Sequence, residues 1–106
     1  MDEDVSELLY DIGANPGGVG FDIMKGAIEF VVVKITNNED FQMKSLYVTL
    51  GMQYNKTPRA IEQVLRRELE YIVYRGPYAW SFFKKPYLKD FLRSYARQII
   101  MKRGGR

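Results

Sequence analysis

Residues 46–76 read LYVTLGMQYNKTPRAIEQVLRRELEYIVYRG, and their spacing predicts two helices joined by a tight turn at Asn55-Lys56. In the longer helix, which opens at Thr57, the apolar residues Ile61, Val64, Leu65, Leu69, Ile72 and Val73 recur at three- and four-residue steps and so share one stripe. Arg59, Glu62, Gln63, Arg66, Arg67 and Glu70 fall on the other side. Thr57 suits an N-cap, because its hydroxyl accepts from an orphan backbone N–H. Pro58 follows where its missing N–H costs nothing, and Glu62 lies in the early turns where the helix dipole favours an anion. Gly76 and Pro77 close the helix. In the shorter helix Leu46, Tyr47, Leu50, Gly51 and Tyr54 form the matching inward stripe, with Gly51 where a small residue lets two helix backbones approach closely. This is the pattern of a helix-turn-helix over about 43–75, whose second helix is the one such a motif lays in a major groove.

Composition narrows the class. A chain of 106 residues, 46% hydrophobic and 14% aromatic, is long enough for one folded domain with a real core and is not disordered. It has no Cys, which removes disulfide and thiolate chemistry and fits a reducing compartment. It has no His, the commonest metal ligand and general base. Catalysis would need Asp or Glu, Lys, Tyr or Ser, and no spacing assembles them, so the expectation is a protein that is not an enzyme and uses no metal or cofactor. The start, MDEDVSELLY, is acidic and lacks the basic, then apolar, build of a signal peptide. The longest apolar block, 30–33, is far short of a membrane span. A soluble, cytoplasmic chain without a membrane partner is expected.

Charge divides along the sequence. Residues 1–55 hold three lysines against nine acids, a net of −6, and residues 56–106 hold thirteen basic residues against four acids, a net of +9. A polyanion would meet the second half and be repelled by parts of the first.

Around the central pair, residues 4–12 read as a short helix with Val5, Leu8, Leu9 and Ile12 inward. The segment GANPGGVG at 13–20 has no strand before it and no Lys-Ser/Thr after it, so it is read as a turn needing positive φ at several positions and not as a nucleotide loop. Residues 21–35 form a second helix, with Asp22 near its start and Ile23, Met24, Ala27, Ile28, Val31 and Ile35 apolar; the β-branched tail 31–33 also suits a strand, but the length favours a buried helix. The polar loop 36–40 ends in an N-cap candidate, Asp40. The aromatic block PYAWSFF at 77–83, beside Lys84 and Lys85, reads as a core plug or as a base-stacking platform, the plug being the commoner use. A last helix, about 86–103, carries Leu88, Phe91, Leu92, Tyr95, Ile99 and Ile100 on one stripe and Lys89, Arg93, Arg97, Lys102 and Arg103 elsewhere, before a frayed tail at 104–106. With no internal repeat or linker, 1–106 is expected to be a single helical domain.

An ordered set of residues then points to a family: the Ile-Gly of 9–13, Gly20-Phe21, Gly26-Ala27-Ile28, the 44–47 segment KSLY, Tyr54-Asn55-x-Thr57, Ile61-Glu62 with Arg66 and Glu70, Arg75-Gly76, and Lys85-Pro86 ahead of a helix containing Phe91. The chain resembles, over nearly its whole length, the C-terminal DNA-binding effector domain of the stage-zero sporulation response regulator, the sporulation initiation transcription factor of endospore-forming bacteria. The resemblance implies an all-α fold of about six helices and a sequence-specific, double-stranded DNA-binding transcription regulator. It places base reading on Glu62, Gln63, Arg66 and Arg67, while the residues Lys56, Thr57, Arg59, Arg75, Lys84 and Lys85 are themselves the candidates for phosphate contact. Gln63 stands where the family has Arg, and Arg67 where it has His. Arginine favours guanine O6/N7 and glutamine adenine N6/N7, so the preferred DNA box of this chain does not follow from the family's. Implied partners are double-stranded DNA, a second copy on a tandem site about one helical turn away, and RNA polymerase or a sigma factor. The family places a phosphoacceptor receiver domain upstream, so the chain is expected to be either an excised domain or a stand-alone regulator. Two blander readings compete: the outer charges of this helix pairing among themselves, with Glu62 a dipole partner, and a protein-interaction module that keeps the fold but has lost DNA binding.

Overall fold

In the computed structural model, which describes residues 2–75 and 86–104, the pairs Ile23-Met24, Ala27-Ile28 and Val31-Val32 repeat every four positions along α2 (Val19–Thr36), and every member is buried. A stripe this wide needs more than one neighbour to cover it. Accordingly α1 (Asp2–Asp11), α3 (Met43–Tyr54), α4 (Pro58–Arg75) and α5 (Leu88–Lys102) all pack on α2, while α3 also packs on α4. The fold is all-α, with five helices among the described residues where the resemblance implied about six. Residues 31–33 are helical: Val31 and Val32 turn inward and Val33 is exposed, which decides against a strand.

The anticipated inward stripes are the ones that bury. Val5, Leu8, Leu9 and Ile12 from α1 and the turn after it, Leu46 and Leu50 from α3, Ile61, Leu65, Leu69, Ile72 and Val73 from α4, and Leu88, Phe91, Leu92, Ile99 and Ile100 from α5 join one cluster with α2. Val64, Tyr47, Tyr54, Ile35 and Tyr95 pack at its margin, half-buried. No polar or charged residue among the described residues is buried in this interior.

Polar ties sit around the perimeter instead. Tyr54 Oη donates to the Asp22 carbonyl (3.0 Å), joining α3 to α2. Lys89 Nζ donates to the Phe41 carbonyl (2.8 Å) and lies over the Phe41 ring, joining α5 to the loop before α3. Arg103, just past α5, grips Asp4 of α1 through Nε (2.6 Å) and Nη2 (2.9 Å) and Glu29 of α2 through Nη2 (2.8 Å).

Two expectations about loops are corrected. In the 13–20 segment only Gly13 has positive φ (91°), so the turn needs one left-handed glycine and not several. Gly20 serves a different end: a Cβ there would lie 2.6 Å from Oε2 of Glu68, so its bareness admits an α4 carboxylate against the start of α2. Asp40 does not cap α3, which begins at Met43 after Gln42. Instead Asn38 in the left-handed conformation (φ 57°) ends α2, and Asp40 lies exposed, 3.8 Å from Arg93. The proposed helix end at Gly76-Pro77, the aromatic block 77–83, and the last two residues of the tail fall outside the described residues.

Candidate nucleic-acid interface

The motif read at 43–75 is built as expected. α3 ends on Asn55, whose left-handed backbone (φ 56°, ψ 49°) reverses the chain and lets Lys56 N–H donate to the Gly51 carbonyl (2.9 Å). A left-handed residue costs Asn less than most others. A Cβ on Gly51 would lie 2.6 Å from the Lys56 carbonyl oxygen. The close approach expected between two helix backbones is instead one between α3 and the backbone of the turn, at Lys56. Thr57 Oγ1 then accepts from Ala60 N–H (3.1 Å) as the N-cap, with Pro58 in the first turn.

Ile61, Leu65 and Leu69 are at most 1% exposed, which fixes the rotation of α4 and turns its other face outward. Gln63, Arg66 and Arg67 are exposed and Glu62 is half-exposed. Arg59, Glu62, Gln63 and Arg66 line one shallow depression of about 470 Å³ with Pro58 and, from α3, Tyr47. Arg67 stands one turn beyond Gln63 on the same outer face.

Within this group Arg66 is paired: its Nε and Nη2 donate to the same Glu62 oxygen, Oε2, at 3.0 and 2.9 Å. Tyr47 is the member that the sequence reading placed only on the inward stripe. Its phenol pKa is raised, chiefly by burial and further by Glu62, with Arg66 opposing. A tyrosine at the edge of a stripe is the signal that it has one apolar and one polar neighbourhood.

Lys56, Thr57 and Arg59 are exposed around the start of α4, whose first turn holds no acid to offset the positive end of the helix dipole. Arg75 is exposed at the opposite end, roughly 24 Å from Arg59 at about 1.5 Å rise per residue, with its guanidinium near the Tyr71 ring. It does not share a cluster with Lys56 and Arg59. Lys84 and Lys85 lie outside the described residues. On α5 the basic residues divide: Lys89, Arg93 and Arg103 are engaged with Phe41, Asp40, Asp4 and Glu29, while Arg97 and Lys102 are exposed. The surplus of positive charge in the second half is thus partly spent on holding the first half in place.

Behind the outer face lies Glu68, to which the sequence reading gave no role. Its Oε1 is buried with no hydrogen-bond partner among the described residues, and burial raises its carboxyl pKa against the opposing charge of Arg67.

No helix among the described residues is long and apolar enough to cross a membrane. No curated protein matches the chain. The family model described as "Sporulation initiation factor Spo0A C terminal" matches residues 5–89, from within α1 to the start of α5. With most of its length matched and its helix-turn-helix in place, the chain belongs to this family of DNA-binding effector domains of a sporulation transcription factor.

Proposed function

We propose that this chain is a single-domain, sequence-specific binder of double-stranded DNA that regulates transcription in the cytoplasm. α4 lies in the major groove. Glu62, Gln63, Arg66 and Arg67 face the bases, and Lys56, Thr57, Arg59 and Arg75, with Lys84 and Lys85, face phosphates. The observation that carries this reading is the rotation of α4: Ile61, Leu65 and Leu69 anchor it inside while Gln63, Arg66 and Arg67 are exposed. One recognition helix touches few bases, so full affinity comes from two copies on tandem sites about one helical turn apart. The surfaces left uncovered serve RNA polymerase or a sigma factor.

The test is selection of bound duplexes from a random pool, followed by titration at several salt concentrations. One enriched sequence, bound with a log–log salt slope near −0.9 for each phosphate contact, supports the reading. No enrichment, with salt-insensitive binding, overturns it in favour of a protein-interaction module. Saturation at full affinity by one copy per site removes the tandem arrangement alone.

A further inference from the structure

Arg66 is not a free cation on the outer face of α4. A guanidinium is a flat fork with more than one usable edge. Here the edge formed by Nε and Nη2 closes on Oε2 of Glu62, one turn back, at 3.0 and 2.9 Å. The edge formed by Nη1 and the second Nη2 proton is directed away from Glu62. That outer edge presents two parallel N–H groups, the complement of O6 and N7 on guanine.

An exposed arginine samples many rotamers and loses that freedom when it meets a base. A carboxylate that already holds the inner edge removes part of the loss beforehand. The pair is only half in solvent, at 54% side-chain exposure for Arg66 and 36% for Glu62. Behind it, Tyr47 is near enough to respond to both charges and lines the same depression. Oε2 of Glu62 is already accepting twice from Arg66.

We propose that Glu62 is a positioning residue, one that sets the Arg66 guanidinium for a guanine and does not itself read a base. This role rests on the DNA-binding reading above, and one experiment separates the two failures. Wild type, E62A, R66A and the double variant, each as the full chain, are tested on three duplexes. These are the duplex the wild type selects, the same duplex with the Arg66-dependent G·C pair changed to A·T, and a random duplex.

E62A is expected to lower the preference for G·C at that one pair about tenfold, and to have no further effect on it in the R66A background. On random DNA E62A should bind at least as well as wild type, because a like charge near the phosphates is gone. Its melting temperature should match the wild type within a few degrees, as for an exposed i,i+4 pair. Loss of preference at a different base pair, or an equal loss with and without Arg66, overturns the positioning role while leaving DNA binding intact. A wild type that selects no sequence overturns the DNA-binding reading and this role with it.

Discussion

The Cβ position of Gly51 lies 2.6 Å from the carbonyl oxygen of Lys56, so the turn of the helix-turn-helix closes against a residue that has no side chain. The obstacle is backbone, which cannot swing aside. Gly51→Ala gains about 1 kcal/mol of helix propensity but meets a contact that costs about 1–3 kcal/mol to relieve. The clash wins, and the variant should melt several degrees lower by calorimetry. Gly26 provides the control. A Cβ there meets side chains and not backbone, with Leu50 Cδ2 at 3.1 Å, Tyr54 Oη at 3.4 Å and Tyr54 Cε2 at 3.6 Å. Gly26→Ala should be neutral to slightly stabilising. Equal losses from the two would show that the turn does not depend on the missing side chain.

Arg103 makes the acid side of the stability profile predictable. Its hydrogen bonds hold the Asp4 carboxyl below the usual carboxylate range, burial partly opposing. A depressed folded pKa means that this stabilisation is full above the unfolded pKa of about 4 and is lost as pH falls through the lower folded value. Arg103→Ala should lower stability by about 1–2 kcal/mol at pH 7. Its disadvantage should shrink steadily below about pH 4, measured by urea unfolding across pH.

Glu68 acts in the opposite sense. Burial raises its folded pKa, so the folded chain holds that proton more tightly than the unfolded one. Its penalty is absent below the unfolded pKa of about 4, grows as pH rises, and is complete above the folded value. Glu68→Gln should therefore stabilise by about 1 kcal/mol at pH 7, with the gain vanishing in acid. An unchanged difference between the two proteins across pH would mean that Glu68 is solvated.

The basic residues should separate by role in a salt titration. Lys89 is engaged by Phe41, through its carbonyl and its ring. Lys89→Ala should lose about 1 kcal/mol of stability and leave the salt dependence of DNA binding unchanged. Lys56→Ala and Arg59→Ala should each weaken all duplexes alike and reduce the slope by about 0.9, without lowering the melting temperature.

Gln63 offers a gain-of-preference test. Glutamine pairs with adenine N6/N7 and arginine with guanine O6/N7. Gln63→Arg should move one position of the selected duplex from A·T to G·C and leave the others alone. A shift at any other position would place Gln63 elsewhere on the duplex.

What was legible beforehand follows the range of each signal. Ile61, Leu65 and Leu69 repeat within one helix, and so do Ile28 and Val31, so periodicity alone turned them inward. Asn55 and the need for a bare Gly51 were legible because the turn they serve is only a few residues long, although what Gly51 meets is the turn and not a second helix. Glu68 was not, because its partner Gly20 is far away in sequence and meets it only after α2 and α4 pack. The ties of Lys89 and Arg103 were hidden for the same reason: a cation read from sequence carries no mark of whether Phe41 or Asp4 will fold back onto it. Asp40 had the composition of a cap, but the left-handed Asn38 had already turned the chain away.

The oily interior and the polar ties around it divide the labour of specification. Greasy side chains of similar volume can be exchanged without changing which helix lies beside which, since no buried residue among the described ones is polar or charged. The seating of α1, α2, α3 and α5 is further fixed from the outside, where Tyr54, Lys89 and Arg103 fasten one segment to another. Descendants of this chain could exchange like for like at Ile61, Leu65 and Leu69 and still aim α4 the same way, while the three fastenings keep the helices behind it in place.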